Sequence, residues 1–220
     1  MVTNAHHRPA DREWIHNRKF EPSLRYAEDM IQGSIEVRNY DEDWVYVACD
    51  DDRPCSSCSC VAPHTDSIVI AVDGACRGNG TPSARAAIGV FVSETSKFNQ
   101  SVLLSESHVT NQIAELRAGI LALEQVMEIV RAKALGKEPL HTVVIKADSE
   151  YLVKGMTEWV FKWESKGYRN AKGGPVKNDQ LFKKLHALIE NLNTSRVEVL
   201  FWQVPRGQNQ DADKLANQAF

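Results

Sequence analysis

The sequence predicts an α/β fold in which a five-stranded mixed sheet is flanked by helices and preceded by a poorly structured N-terminal extension. Short runs rich in Val and Ile, bounded by turn residues, alternate with stretches in which apolar residues recur every three or four positions. The order is three strands, a long helix, a strand, several helices, a strand and a last helix, which is typical of a mixed sheet with helices on its faces. With 43% hydrophobic residues, the 220-residue chain is long enough to bury such a core.

The five predicted strands all lie in residues 67–220, which we interpret as one domain. The first three are indicated by the runs IVIAVDG and AAIGVFVS and by the stretch around SVLLSE, separated by short turns as in an antiparallel meander. The fourth and fifth are indicated by HTVVIKAD and RVEVLFWQV. Helical segments precede each of these last two strands, so we expect them to complete a mixed sheet.

Five helices are predicted to cover this sheet. The longest, in TNQIAELRAGILALEQVMEIVRAKAL, places apolar residues from Ile113 to Val130 three or four positions apart. Three more are indicated by SEYLVKGM, TEWVFKWESKG and NDQLFKKLHALIENL, with the loop YRNAKGGPVK between the last two. The final helix begins in NQDADKLANQAF.

Residues 1–66 are interpreted as an extension that ends in a linker, and the sequence does not reveal its role. They contain one amphipathic stretch, Ser23 to Gln32, and one strand-like run, Asp43 to Ala48. A segment of Asp, Ser, Cys and Pro follows, a composition typical of linkers.

Four of the five cysteines crowd the end of this extension: Cys49, Cys55, Cys58 and Cys60. An odd total excludes a disulfide framework that pairs every cysteine. The run CDDDRPCSSCSC contains one CxxC pair, but only His64 follows it where a zinc site normally has a second ligand pair. A metal site and a reduced linker therefore both remain open.

Charge and hydropathy exclude several classes of protein. Residues 1–66 hold seven basic and thirteen acidic residues, whereas the rest of the chain holds 19 basic and 16 acidic residues and is mildly basic. No apolar run approaches the roughly 20 residues of a membrane-spanning helix, and the N-terminus has no signal-peptide pattern. We expect an intracellular protein, nuclear or cytoplasmic, without membrane contact.

Four acidic residues occupy positions where a plain surface charge would be unusual. Asp73 and Asp148 each follow an apolar strand, and Glu115 and Asp213 lie near the start of a helix. Each alone has an ordinary explanation, because carboxylates also form turns, cap helices and balance helix dipoles.

The residues around these acids resemble the successive motifs of type 1 ribonuclease H. The matching segments are DGACRGNG, TNQIAEL, KADSEYLVKGM with PVKN downstream, and VPRGQNQDADKLAN, in that order from about Ile68 to the C-terminus. The resemblance implies the RNase H-like fold, with Asp73, Glu115, Asp148 and Asp213 as catalytic and metal-binding acids. It implies endonucleolytic hydrolysis of the RNA strand of RNA/DNA hybrids, with two Mg²⁺ ions, or Mn²⁺ as a substitute, stabilising the attacking and leaving oxygens.

The resemblance also implies a set of nucleic-acid-binding residues. Residues 154–184 carry eight basic and three acidic residues with interleaved Trp, a reasonable footprint for a phosphate backbone. The candidates are Asn79, Thr110, Asn111, Gln112, Trp159, Lys162, Trp163, Lys166, Arg169 and Asn178. Core packing of the Trp residues, a solvated lysine face and helix capping by Thr110 and Asn178 are the structural alternatives.

Two features depart from the family pattern. Many members have a His shortly before the acid that corresponds to Asp213. Here the sequence is VPRGQN, with Gly207 where the His would fall. The hybrid-binding module common in eukaryotic members is not found in residues 1–66. A non-catalytic nucleic-acid-binding module of the same fold and another RNase H-like nuclease remain the alternatives. We expect a monomer with no obligate protein partner.

Overall fold

The computed structural model describes residues 17–26, 28, 35–38, 43–50, 61–136 and 138–220. In this part of the chain, one mixed sheet contains seven strands, each named here in chain order. They are β1 (Glu36–Val37), β2 (Tyr46–Ala48), β3 (Pro63–Arg77), β4 (Arg85–Phe91), β5 (Gln100–Leu103), β6 (Thr142–Ala147) and β7 (Glu198–Gln203). The predicted α/β class is confirmed, and the five predicted strands correspond to β3 through β7.

The long strand β3 organises the sheet. Its second half pairs antiparallel with β4, and β4 pairs antiparallel with β5, so the predicted meander is confirmed. On its other side β3 pairs parallel with β6, which pairs parallel with β7. The predicted boundary between residues 66 and 67 falls inside β3, because this strand already begins at Pro63.

Helices cover the sheet in the predicted order. They are α1 (Asn111–Ala132), α2 (Glu150–Lys154), α3 (Val160–Glu164), α4 (Asp179–Thr194) and α5 (Gln210–Gln218). The prediction of two separate helices in SEYLVKGM and TEWVFKWESKG is wrong, because a π-helical turn, Gly155–Trp159, joins α2 to α3 without a break. Tyr151 and Trp163 pack on the same Phe182 ring, at 5.3 and 4.9 Å between centroids, and hold both halves in one line.

Strand β3 is apolar on both faces, and this explains the layers of the fold. Ile68, Ile70 and Val72 enter the larger hydrophobic cluster, which α1 and α4 complete. Val69 and Ala71 point to the opposite face, as the alternation of a strand requires. A second cluster covers that face, and the described N-terminal residues supply much of it: Phe20, Tyr26, Ile35, Val45, Val47 and Val61.

Residues 1–66 are therefore more ordered than their composition indicates, in the parts that the structure describes. β2 forms the last part of the predicted strand-like run, Asp43 to Ala48, and pairs with the first half of β3. β1 in turn pairs with β2. Residues 18–20 bridge to Phe201 at the opposite edge of the sheet. Burial of apolar side chains against Val69 and Leu200 is the physical reason for this order.

Other predictions for the extension fall largely outside the described residues. Of the amphipathic stretch from Ser23 to Gln32, the structure describes the end of a 3₁₀ turn, Pro22–Leu24, and a few residues after it. Cys55, Cys58 and Cys60 lie outside the described residues, whereas Cys49 is buried. Within the described ranges, no helix has the length and apolar character needed to span a bilayer.

Candidate active site

Two of the four acids lie side by side because of strand pairing. The parallel register ends with Ala71 opposite Lys146, so Asp73 and Asp148 each stand two residues beyond the last pair. Asp73 does not end its strand, as its position after an apolar run had indicated, because β3 continues to Arg77 through pairing with β4. Asp148 directly follows β6.

Glu115 reaches this point because α1 packs unusually close to β3. A Cβ atom on Gly74 would lie 2.8 Å from the carbonyl oxygen of Ala114 and nearer still to the backbone nitrogen of Glu115. Only glycine leaves room for this approach, so Gly74 places the first turn of α1 directly over the strand. The Glu115 side chain is buried as a result.

Asp213 comes from α5, which packs on β4 at Gly89, where a Cβ would meet the backbone of Ala212. Two side chains hold its carboxylate: Arg206 donates to Oδ1 at 2.7 Å and Asn217 to Oδ2 at 3.1 Å. Strand, helix and loop thus bring all four predicted acids to one region, and three of them line a single cleft of about 630 Å³.

The electrostatics of the cleft reflect this crowding. Burial, followed by the charges of Asp148 and Asp213, raises the pKa of Asp73 to about 6. Burial, followed by the charges of Asp73 and Asp148, raises the pKa of Glu115 to about 9. Both shifts show that the cluster disfavours negative charge when no cation balances it.

The residues present fit hard divalent cations. Oε2 of Glu115 is buried and accepts no hydrogen bond, although a buried carboxylate oxygen normally has a partner. The donors are carboxylate oxygens from four chain segments, the ligand type that Mg²⁺ and Mn²⁺ prefer over softer metals. A cation in the cleft would satisfy this oxygen and relieve the repulsion.

We expect Glu115→Gln to stabilise the protein without metal. The folded-state pKa values of Glu115 and Asp73 lie above their ordinary values, so these acids favour folding at low pH and oppose it progressively as the pH rises toward about 9. The melting temperature of the variant in EDTA should therefore exceed that of the wild type by a few degrees at pH 8, and by less at pH 5.

The control is Glu128→Gln, which removes an exposed carboxylate from the same helix. It should change the melting temperature little at either pH. Saturating Mg²⁺ should stabilise the wild type and shrink or reverse the advantage of Glu115→Gln. An equal melting temperature for Glu115→Gln and wild type in EDTA at pH 8 would contradict the assigned repulsion.

Four of the predicted nucleic-acid-binding residues, Asn79, Thr110, Asn111 and Gln112, lie at or next to the start of α1. Asn79 Oδ1 accepts the backbone N–H of Asn111 at 3.1 Å, and Asn111 Nδ2 donates to Glu115 Oε1 at 3.4 Å. Thr110 caps the helix, accepting the N–H of Ile113 at 3.3 Å, so the capping interpretation is confirmed for this residue. Gln112 is half-buried in the same first turn.

The basic segment, residues 154–184, forms a second surface that aromatic rings connect to the cleft. Lys162, Lys166 and Arg169 are exposed, whereas Trp159 and Trp163 are half-buried and pack on each other with centroids 5.7 Å apart. Both Trp residues therefore contribute to packing, which was the structural alternative to a role in nucleic-acid binding. Tyr151 lines the cleft and also packs against Trp159, at 6.0 Å, so the two surfaces are continuous.

Asn178 stands at the N-cap position of α4, but its side chain does not cap the helix. Its backbone is left-handed, with φ of 59°, and its side chain makes no capping bond. Instead its Nδ2 donates to the Tyr151 hydroxyl at 3.2 Å. The capping alternative is wrong here, and Asn178 instead fixes the ring that joins the cleft to the basic segment.

Three residues of the site escaped the sequence-based candidate set. Asn209 is buried and donates both to Asp148 Oδ1, at 3.0 Å, and to the carbonyl of Val72, at 2.9 Å. Asn217 and Arg206 hold Asp213. Asn217 stands one helical turn after Asp213 in α5, and Asn209 immediately precedes that helix.

The comparisons with known proteins agree with this geometry. A model of the RNase H family matches residues 65–220. Ribonuclease H of Pelobacter propionicus is 34% identical over 160 aligned positions, covering 70% of this chain and 85% of that protein. Ribonuclease H of Pseudomonas savastanoi pv. phaseolicola is 32% identical over 158 positions, covering 70% of this chain and 92% of that protein.

A solved structure extends the agreement to three dimensions. The foamy viral protease-reverse transcriptase in complex with dsDNA matches with a TM-score of 0.52 and 26% identity, over 69% of this chain and 92% of that chain. The fold, the order of motifs and the relatives lead to one assignment. The chain belongs to the RNase H family, and the enzyme class predicted from its motifs, ribonuclease H, is confirmed.

Proposed function

We propose that this enzyme is an endonuclease that hydrolyses the RNA strand of RNA/DNA hybrids with two divalent cations held by Asp73, Glu115, Asp148 and Asp213. The supporting observation is the convergence of four carboxylates from four chain segments, two of them buried with raised pKa values. A module that only binds nucleic acid has no physical reason to keep a cluster that repels itself and phosphate.

The chain's own residues hold and aim these carboxylates. Asn209 binds one oxygen of Asp148 and is anchored to the backbone of β3, which leaves Oδ2 of Asp148 for a ligand. Arg206 and Asn217 restrain Asp213 in the same way. Mg²⁺, or Mn²⁺ in its place, would activate the attacking water and stabilise the charge on the attacking and leaving oxygens.

Two surfaces support recognition of a hybrid. Asn79, Asn111 and Gln112 lie beside the acids and offer amide groups that can donate to or accept from a ribose 2′-hydroxyl, the group that distinguishes RNA from DNA. The exposed cations of the basic segment suit the phosphates of the second strand. The contacts of Tyr151, which lines the cleft, with Asn178 and Trp159 support a binding surface that continues from the cleft to the basic segment.

The direct test is cleavage of labelled substrates by the full chain. RNA/DNA hybrid, double-stranded RNA and double-stranded DNA are each incubated with Mg²⁺, with Mn²⁺ or with EDTA. We expect internal cuts in the RNA strand of the hybrid alone, and only with a metal. Binding without cleavage would favour a non-catalytic module, and cleavage of double-stranded DNA would favour another RNase H-like nuclease.

Replacing Lys162, Lys166 and Arg169 together by Ala should weaken hybrid binding. All three side chains are exposed, so the change should not disturb the core, although it removes the hydrogen bond from Arg169 to the carbonyl of Gly173. Each lost phosphate contact should lower the slope of log affinity against log salt by about one. Binding measured between low and physiological salt checks this, with turnover at saturating substrate less affected.

The matched control replaces Lys133, Lys19 and Arg196, three cations outside this segment, by Ala. This variant has the same change in net charge but should keep the wild-type salt slope. An equal change of slope in both variants would mean that net charge acts, and that residues 162–169 form no specific contact.

The loop before Asp213 leads to a prediction about turnover kinetics. Gly207 stands where many members of the family carry a His, and it has no side chain that could exchange a proton near neutral pH. We therefore expect a first turnover faster than the steady state, since that His is thought to assist release of metal and product. Gly207→His should narrow the difference between the first turnover and the steady state by restoring the imidazole. The new side chain has room, because no atom lies within 4 Å of a Cβ placed there. Burst kinetics measure this difference, with Gly207→Ala as the control, and an unchanged difference in Gly207→His would contradict the interpretation.

A further inference from the structure

We propose that Cys49, Asp50 and His64 form a second metal site, distinct from the active site, that binds a thiophilic transition-metal ion such as Zn²⁺. Cys49 Sγ, a carboxylate oxygen of Asp50 and a ring nitrogen of His64 all lie within 4.8 Å of one another. Nothing in ribonuclease chemistry uses these residues. Their arrangement therefore needs a separate explanation.

The backbone brings the three residues together at the start of β3. Ala48 pairs with Pro63, and the N–H of Cys49 donates to the carbonyl of Ala62 at 2.8 Å. The register between β2 and β3 shifts at Tyr46 and Val47, so that Val47 lies opposite His64. Such irregularities re-aim side chains at the margin of a sheet, and here His64 is brought next to Asp50.

The distances suit a tetrahedral ion with little rearrangement. His64 Nε2 and Asp50 Oδ1 are 3.1 Å apart. Two ligand atoms that bind one zinc ion at 2.0–2.3 Å are separated by about 3.5 Å, so a shift of about 1 Å by Cys49 brings all three side chains within reach of one ion, with water as the fourth ligand. The thiol would lose its proton to solvent on binding, and His64 would bind in its neutral form.

Burial distinguishes this cluster from chance surface neighbours. Cys49 is 1% exposed and His64 is 5% exposed, so two of the three ligands are already shielded from water, and Asp50 is half-buried. A buried thiol can also be an ordinary small apolar group, but Cys49 lies beside a His and an Asp, and this combination of sulfur, nitrogen and oxygen matches zinc sites. The thiolate also selects against Mg²⁺ and Ca²⁺.

The sequence adds a second reason to consider a metal. Three further cysteines, Cys55, Cys58 and Cys60, occur between Asp50 and Val61. They lie outside the described residues, and the proposed site is defined without them. The site would tie the end of β2 to the start of β3 and so stabilise the apolar layer on the second face of the sheet.

The proposed site is remote from the active site. His64 and Asp73 belong to the same extended strand, nine positions apart, which corresponds to about 30 Å. Loss of the metal at Cys49 should therefore leave the chemistry at Asp73 in place. An experiment can therefore distinguish failure of the metal-site proposal from failure of the proposed nuclease function.

The test uses the full chain, stripped of metal, reduced, and supplied with excess Mg²⁺ to occupy oxygen-rich sites. Adding Co²⁺ should produce a thiolate-to-cobalt charge-transfer absorption that saturates at one equivalent and is displaced by Zn²⁺. Cys49→Ser and His64→Ala should each abolish the band or weaken affinity at least about 10-fold, and Asp50→Asn should weaken affinity by about 10-fold or more. Zn²⁺ should raise the melting temperature of the wild type but not of Cys49→Ser.

Matched controls separate this site from other thiols and other His–Asp pairs. His141 also contacts an Asp, with Nδ1 3.1 Å from Asp66 Oδ2, but no metal-binding cluster is found there among the described residues. His141→Ala and Cys76→Ser should keep the band. Retained hybrid cleavage and an unchanged circular dichroism spectrum show that Cys49→Ser is folded. Absence of a thiolate band in the wild type, or an undiminished band in both Cys49→Ser and His64→Ala, would overturn the proposal.

Discussion

Asp148→Asn is expected to lower hybrid cleavage by at least about 100-fold while hybrid binding persists. The carboxylate stands beside Asp73 at the end of β6, and one of its oxygens is already taken by Asn209. Asn keeps the size of the side chain but removes the charge that, in the proposed mechanism, would balance a divalent cation at the reacting phosphate. The loss of one preorganised electrostatic contact to a transition state typically costs this much. Single-turnover cleavage with saturating Mg²⁺ measures the rate.

Binding is measured separately, in EDTA, where cleavage cannot proceed. Removing a negative charge near phosphate should leave hybrid affinity equal or slightly higher. Asp66→Asn is the matched control, because Asp66 lies toward the opposite end of β3, where it contacts His141. It should cleave as the wild type does. A rate for Asp148→Asn above a few per cent of wild type would exclude the proposed role of the four acids.

Much of this site could be predicted because its signals are local. A carboxylate that follows the apolar run IVIAV or the largely apolar run VVIKA is visible without a structure, and so is the periodicity that places Glu115 in the first turns of a helix. The pairing of β3 with β6 then brings Asp73 and Asp148 together, as expected when parallel strands carry a residue at the same level. Assigning all four acids to one site still depended on the surrounding motifs, since each carboxylate alone has an ordinary explanation.

The layer on the second face of the sheet could not be predicted in the same way. β1 and β2 comprise only two and three residues, and only the run that contains β2, Asp43 to Ala48, is strand-like in the sequence. Their order depends on distant partners, such as Val45 against Val69 and Glu36 with the buried Lys146 of β6. One sequence signal was nevertheless present, because a strand that is apolar on both faces requires cover on both. The nine-residue α5 is too short to supply that cover alone.

The contacts that orient the acids also escaped the motif-based analysis. Asn209 and Asn217 are polar residues in a polar segment, and nothing in their sequence context separates them from surface amides. Their importance comes from geometry, since Asn209 is buried and bridges Asp148 to the backbone of β3. Residue type and spacing therefore identified which groups could act, and the tertiary structure identified which groups hold them.

Gly74→Ala should be the most damaging change outside the acids themselves. The added Cβ would overlap the backbone of Ala114 and Glu115, so α1 must move away from β3 by about 1 Å. Overpacking of this kind costs about 1–3 kcal/mol, and a chain of this size should lose about 2–4 °C of melting temperature for each kcal/mol. Because Glu115 moves with the helix, the cleavage rate should also fall by about 100-fold, the cost of a 1 Å misplacement in an active site.

The two effects are separated by measuring both melting temperature and single-turnover rate below the melting transition. Gly207→Ala is the matched control, since a Cβ there meets no atom within 4 Å and the position needs no left-handed backbone. It should leave the melting temperature nearly unchanged. A Gly74→Ala protein that melts and cleaves like the wild type would show that α1 tolerates displacement. The close approach at Gly74 would then not be what positions Glu115.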